Sequence, residues 1–449
     1  LRFPEAPNRT SEPTPVADLG FWSAAALVVG HTIGVGIFLT PGELIGALAS
    51  PAWTLGLWII CGGLVFAGAL TFGELASRRP QAGGLYVYLR EGWGPRVASL
   101  YGWTCFLVMD PGLVASLAIG LARYLVVLWP GAAGRERSLA VATIGILALG
   151  NMSGLRLSSR GLNVLTALKV FAIGAVVAGA FAIGHGSWSH FQPFFGRRSG
   201  SPALLPALGL GLIGGFYSFG GFWEVSRVAG EIRDPRRELP RALALGVAAV
   251  TVLYAATTVA FIYLVPISAT TDASEFAKRA GEALAGPGGA RAFAATVALS
   301  AAASAAAFLL MAPRLYVAMN RDGLFPSALA RRHPLTGAPI RATFVLATLA
   351  SVLALSGSFS QVVAFFICPT LVFVALAAAA LFVLRRSDSN ATTFRAPGYP
   401  ATPALFVLLL LTVIALIVLA RPVPALAGCL LVLVGLPLQR LLRTRESAR

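Results

Sequence analysis

An all-α polytopic membrane protein with twelve transmembrane helices is the fold class that three features of this 449-residue chain predict. Hydrophobic residues make up 57% and charged residues 12%, with a mean hydropathy of +0.78, whereas soluble domains carry roughly one-quarter charged residues. Apolar runs of about 20 residues, enough to cross the hydrocarbon core as a helix, recur from end to end. The gaps between them are short and rich in Arg and Pro, and their basic residues fall unequally on alternate sides.

The runs lie near residues 20–46, 52–77, 97–129, 138–156, 162–184 and 203–227, then 241–265, 290–318, 340–356, 361–384, 403–420 and 424–441. The third exceeds what a perpendicular helix needs, so it is expected to tilt or to project beyond the membrane. Residues 1–19 are polar and Pro-rich, unlike a signal peptide. With 442–449 they are expected as cytoplasmic tails. Of the 35 Lys and Arg residues, 25 fall on the side holding both termini and nine on the other, and Lys169 stands near the middle of a span. By the positive-inside rule both termini are cytoplasmic, and the plasma membrane (the inner membrane of a bacterium) is the expected location.

The composition excludes several classes. A formal charge of +17 invites a nucleic acid partner, but no basic stripe with interleaved aromatics is present and the basic residues mark topology instead. Cys61, Cys105, Cys368 and Cys429 lie in apolar segments without CxxC spacing, so no disulfide framework, metal site or cofactor is expected. Gly209-x-Gly211-x-x-Gly214 fits a dinucleotide fingerprint but follows no strand and lies in a span. Neither HExxH nor GxSxG occurs, so an enzyme is not expected.

Two spans carry interruptions. Gly34 and Gly36, followed by Pro41-Gly42, break the first, and Leu208 to Phe222 makes the sixth glycine-rich. Each glycine weakens a helix by roughly 1 kcal/mol relative to alanine. Backbone that leaves the helix at membrane depth must face protein or a wet cavity. The two spans are five apart, an odd offset that gives them opposite orientations, as a five-plus-five inverted repeat requires. Paired interruptions at matching positions point to a transporter's binding site.

Five motifs in order resemble the amino acid–polyamine–organocation transporters, particularly bacterial relatives of the L-type amino acid transporters. They are Gly34-Val35-Gly36-Ile37-Phe38, then Glu74-Leu75-Ala76 with Pro80-Gln81-Ala82-Gly83-Gly84-Leu85-Tyr86, then Phe216-Tyr217-Ser218-Phe219-Gly220-Gly221-Phe222. Glu231-Ile232-Arg233-Asp234-Pro235 and Asn320-Arg321-Asp322-Gly323-Leu324-Phe325-Pro326 complete the series. The resemblance implies a LeuT-type fold with broken helices 1 and 6. Helices 1–5 (20–184) and 6–10 (203–384) form the inverted repeats, and helices 11–12 (403–441) lie outside.

It also implies an amino acid substrate, moved by alternating access. N–H groups of Val35, Gly36 and Ile37 would bind its carboxylate at a positive half-helix end. Carbonyls around Ile33 and Gly34, and around Phe216 and Phe219, would bind its ammonium, with Ser218 and Gly220 in the helix-6 break. Val35 replaces the family's Ser or Thr, leaving the carboxylate site to backbone. Tyr217 stands where the family's aromatic gate closes the site from outside. Phe219 and Phe222 suggest an apolar side-chain pocket. Lys169 occupies the family's helix-5 lysine position, where an ammonium replaces sodium, with Ser304 and a carbonyl near Gly34 as its partners. Sodium independence is therefore expected, as amino acid exchange or proton-coupled uptake.

His31 either lines the site and titrates or packs as a hydrogen-bonded structural residue. Asp110 and Glu224 are intramembrane acids that need partners. Glu224 attracts a cationic substrate or pairs with a neighbouring base, and the pairing favours neutral amino acids. The alternatives are a cationic amino acid or polyamine carrier and, from other classes, an ion channel or a non-transporting sensor. An accessory subunit is not expected, since no cysteine lies in a loop where it could tether one.

Overall fold

The computed structural model describes residues 19–34, 36–81, 83–153, 159–183, 186–269, 273–333, 338–387 and 394–446. Among these residues every regular element is a helix. The one strand-like contact is an isolated bridge from Leu19 to Ile232, beside which the Arg233 N–H donates to the Leu19 carbonyl at 3.0 Å.

Seven helices among the described residues are long and apolar enough to cross a membrane: Pro51–Arg78, Pro95–Leu128, Leu204–Arg227, Pro235–Leu264, Gly288–Arg321, Phe359–Ser387 and Ala401–Ala420. Phe21–Thr32, Thr166–Ala182, Ile340–Ser356 and Pro422–Leu433 are shorter apolar helices. This is a multi-pass membrane protein. Leu405, Leu408, Leu411 and Leu419 stand exposed along one helix, which suits lipid and would not suit water.

In chain order the helices are α1 (Phe21–Thr32), α2 (Gly36–Leu48), α3 (Pro51–Arg78), α4 (Leu85–Trp93), α5 (Pro95–Thr104) and α6 (Asp110–Leu128). Then come α7 (Glu136–Met152), α8 (Ser159–Ala182), α9 (Leu204–Phe219), α10 (Pro235–Leu264) and α11 (Ala273–Arg321). The last are α12 (Ser327–Ala330), α13 (Ile340–Ser356), α14 (Phe359–Ser387), α15 (Ala401–Ala420) and α16 (Pro422–Glu446). α1 and α2 together cover the first apolar run and are separated at Ile33–Gly34. α5 and α6 are joined by a π-helical turn, Cys105–Met109. Pro111 explains that turn, because proline cannot donate to the carbonyl four residues back and its ring crowds it.

The gap between the second and third runs is itself helical, as α4. α11 also starts earlier than the 290–318 run. It is not one straight rod: a Cβ on Gly281 would lie 3.0 Å from Ala290 Cα, whereas nine residues of helix span about 13 Å. The chain doubles back there, with Gly286 at φ +65, which glycine alone adopts without strain.

α3 packs on α10 and α6 on α11, while α1 lies against α10 and α8, and α2 against α9. Close approach rests on small residues: a Cβ on Gly62 of α3 would collide with the Thr251 side chain of α10. At one end of the bundle the fully buried Glu74 carboxylate is clamped. It accepts from Arg78 (3.0 Å), from Arg385 (2.7 Å from Nε) and from the Ala396 N–H (2.8 Å).

Candidate functional site

α1 stops after Thr32, where Ile33 leaves helical geometry at ψ 89. α9 stops at Phe219, followed by Gly220 at ψ 136 and Gly221 at φ +117. The chain then resumes as the 3-10 segment Phe222–Glu231. The two interruptions touch. A Cβ on Gly221 would meet the His31 carbonyl at 2.7 Å, and one on Gly36 would meet Ser218 Oγ at 2.6 Å. Glycine is required at 221 on both counts, left-handed backbone and close approach.

Hydrogen bonds span the junction. Ser218 Oγ donates to Thr40 Oγ1 at 2.7 Å, joining α9 to α2. The Tyr254 hydroxyl of α10 lies 3.0 Å from the Thr32 carbonyl and 2.8 Å from the Ser218 carbonyl, within reach of both broken helices. The N–H groups of Gly36 and Ile37 open the first turn of α2, where no intrahelical acceptor exists and the dipole favours an anion.

A cavity lies against this junction. Its polar lining includes His31, Thr32, Gly34, Gly36, Tyr217, Ser218, Gly220, Glu224, Ser304 and Thr370. Among the described residues Ile33, Ile37, Phe216 and Phe219 do not line it, and Val35 lies outside the described residues. The apolar pocket expected from Phe219 and Phe222 is corrected here. Phe219 packs on Trp58 and Tyr254, and Phe222 on Phe72 and Trp223. The apolar wall comes instead from Met109, Leu113 and Leu117 of α6 and its π turn, Phe308 of α11, and Phe366 and Ile367 of α14. Their four-residue spacing on α6 was visible in the sequence, but every buried helical face shows it. Tyr254 left a clearer signal, a tyrosine hydroxyl in an apolar span that needs a partner when buried.

Tyr217 lines the cavity. Its ring meets Phe359 edge-on at 5.3 Å and Phe366 at 6.2 Å, and its hydroxyl lies 3.2 Å from Ser116 Oγ. Arg123 stands over the far face of this cluster, 5.6 Å from the Phe359 centroid. Glu224 is held by Arg227 through two contacts, Nε to Oε2 at 2.5 Å and Nη2 to Oε1 at 3.2 Å. This paired fork geometry is the strong form of the interaction. Asp110 accepts from the Tyr316 hydroxyl at 2.6 Å.

Lys169 lies in an adjoining cavity of ≈ 480 Å³ that shares His31, Ser304 and Phe308 with the first. Its ammonium donates to Ser304 Oγ at 2.7 Å. The carbonyl near Gly34 expected as a second partner does not reach it among the described residues, because the Thr32 carbonyl at that level faces Tyr254 and the Gly34 N–H. His31 forms the partition between the two cavities. Its Nδ1 donates to the Leu27 carbonyl at 3.0 Å and its Nε2 lies 3.2 Å from Met311 Sδ. It is therefore both hydrogen-bonded and cavity-lining. Among the described residues no group of three His, Cys, Asp or Glu side chains suits a metal, and the four cysteines are free.

The chain matches the family model described as "Amino acid permease" over residues 19–432. It is 27% identical to the human cystine/glutamate transporter over 420 residues, covering 92% of this chain and 82% of that protein. It is 31% identical to the mouse b(0,+)-type amino acid transporter 1 over 249 residues, 54% of this chain and 50% of the relative. The mouse Asc-type amino acid transporter 1 is 28% identical over 351 residues, 76% of this chain and 65% of the relative.

Proposed function

The chain belongs to the amino acid permease family, and from that premise we propose a sodium-independent carrier of amino acids, neutral ones by preference, working in the plasma membrane by alternating access. The observation that carries this is the pair of interrupted helices meeting at one cavity, with α2 presenting its positive end there. The substrate carboxylate binds the N–H groups of Gly36 and Ile37, and its ammonium faces the carbonyls bared at the breaks. Tyr217 is the outer gate.

Twelve spans arranged as inverted repeats over 20–184 and 203–384, with 403–441 outside them, belong to the same proposal. The helix packing supports it. If α1–α2, α3, α6, α7 and α8 correspond to α9 with its 3-10 segment, α10, α11, α13 and α14, contacts recur in exchanged pairs. α1 on α8 matches α9 on α14, α1 on α10 matches α9 on α3, and α7 on α11 matches α13 on α6. The excess of basic residues on one side supports cytoplasmic termini.

Neutral preference follows from Glu224, whose charge is already matched by Arg227 and so is not free for a cationic side chain. Sodium independence follows from Lys169, a fixed cation where a sodium ion would otherwise be needed. Counterflow of labelled alanine and leucine into proteoliposomes, in sodium or choline medium with arginine and putrescine as competitors, tests all of this. Saturable counterflow, equal in both media and competed by neutral amino acids, is expected. Sodium dependence, non-saturable flux or dominant competition by putrescine overturns it.

A further inference from the structure

We propose that Asp110 is a proton-binding site beside the substrate cavity and that a proton bound there crosses with each substrate molecule. The inference rests on the transport function proposed above and names its coupling ion. Asp110 is fully buried, in the interior of the 34-residue span Pro95–Leu128 and roughly 20 Å or more along the helix from either end. Its Oδ2 accepts one neutral hydrogen bond, from Tyr316. Its Oδ1 is buried without a partner among the described residues.

Among the described residues the surroundings supply no spare positive charge. The facing groups are the Tyr316 hydroxyl from α11 and Arg227 from the segment after α9, with Glu224 beyond it. Cys105 from the π turn and Tyr101 from α5 complete the cluster. Arg227 is engaged by Glu224 through two contacts and also reaches the Tyr101 hydroxyl at 3.2 Å. α7, α13 and α14 also pack on α6, but their charged residues sit at their ends: Glu136 and Arg137, Arg341, and Arg385 and Arg386. Cys368 of α14 faces Cys429 at 3.8 Å. Among the described side chains one cation is thus matched by one carboxylate, and Asp110 is the acid left over.

A bare carboxylate at this depth, with one neutral donor, carries a large desolvation penalty. A proton on Oδ1 removes it while Oδ2 goes on accepting from Tyr316. The position also suits a moving part. Asp110 follows a π turn, a feature that gathers at functional sites, and the last residue of that turn, Met109, lines the cavity together with Glu224. A substrate entering the cavity therefore presses on the backbone that carries the acid. The proton bound at Oδ1 comes from water on the outer side, and the same proton leaves to water on the inner side once the cavity opens there.

Proteoliposomes loaded with a pH dye, and receiving labelled alanine, read protons moved per alanine moved. In the wild type, alanine entry acidifies the lumen. In Asp110→Asn the acidification per alanine is lost, and in Asp110→Glu it is regained. Infrared spectra of the purified protein give a second readout independent of transport: a protonated carboxyl stretch present in the wild type and missing from Asp110→Asn. Alanine entry with undiminished acidification in Asp110→Asn, or a carboxyl band common to both proteins, overturns the assignment. Absence of alanine counterflow in the wild type overturns the carrier function instead, leaving the infrared comparison to decide on Asp110.

Discussion

The Lys169 ammonium donates a 2.7 Å hydrogen bond to the Ser304 hydroxyl and so ties α8 to α11 behind His31. Hydrogen bonds to a charged group contribute about 1.5–3 kcal/mol, more than neutral ones, because a buried charge loses so much when its partner goes. Ser304→Ala is therefore expected to slow counterflow roughly ten- to hundredfold if that energy is spent in the transition between states. Ser304→Thr keeps the hydroxyl and should stay near wild type. Lys169→Ala removes the fixed cation and should give the larger loss. Equal rates in Ser304→Ala and wild type would show that the bond plays no part in the cycle.

Tyr254 offers a second test, because its one hydroxyl reaches carbonyls on both broken helices. In Tyr254→Phe the ring remains and only the oxygen is lost, so packing against Trp58 and Phe219 is preserved. The Thr32 carbonyl keeps the Gly34 N–H, so the Ser218 carbonyl is the one that loses its donor, and a carbonyl left buried without one costs about 1–3 kcal/mol. A lowered midpoint in thermal unfolding in detergent is expected, together with weaker substrate protection. An unchanged midpoint would mean that water replaces the hydroxyl.

The long apolar runs were legible because crossing a membrane demands length and hydrophobicity that few other structures need. α3, α10, α14 and α15 accordingly begin and end within several residues of their runs. α4 was hidden, since nine residues in a polar gap carry too little pattern to read. The breaks at Gly34 and Gly220 were visible as composition, but which side chains face the cavity was not. At roughly 100° per residue, Phe219 lies on the far side of α9 from Tyr217, and so turns toward α3 and α10. The partnership of Glu224 with Arg227 was foreseeable at three-residue spacing. That of Asp110 with Tyr316 was not, because 206 residues separate them.

Gly36 and Gly221 test the contact between the two breaks. A Cβ at 36 would stand 2.6 Å from Ser218 Oγ and 3.0 Å from Ser218 Cα, so backbone must move and not merely a side chain. Overpacking of this kind costs about 1–3 kcal/mol. At 221 the same substitution adds left-handed strain at φ +117 to a 2.7 Å approach on the His31 carbonyl, so Gly221→Ala should be the more damaging. The expected pattern is reduced thermal stability for both, with alanine binding weakened more at 221. Wild-type binding by Gly221→Ala would refute the close approach.

Tyr217 is buried, 6% exposed, between the cavity and the Phe359–Arg123 layer. If it is the outer gate, removing its ring should admit solvent from that side without the cycle turning. Ser218→Cys, introduced after the four native cysteines are replaced, reports on this through its reaction with a membrane-impermeant thiol reagent. Tyr217→Ala should raise the labelling rate from outside, whereas Tyr217→Phe, which loses only the contact with Ser116, should not. Large aromatic truncations cost about 3–5 kcal/mol in a packed core, so the alanine variant should also unfold at lower temperature, and substrate should no longer slow its labelling. Equal labelling of all three proteins would place the outer barrier elsewhere, at Phe359 or beyond it.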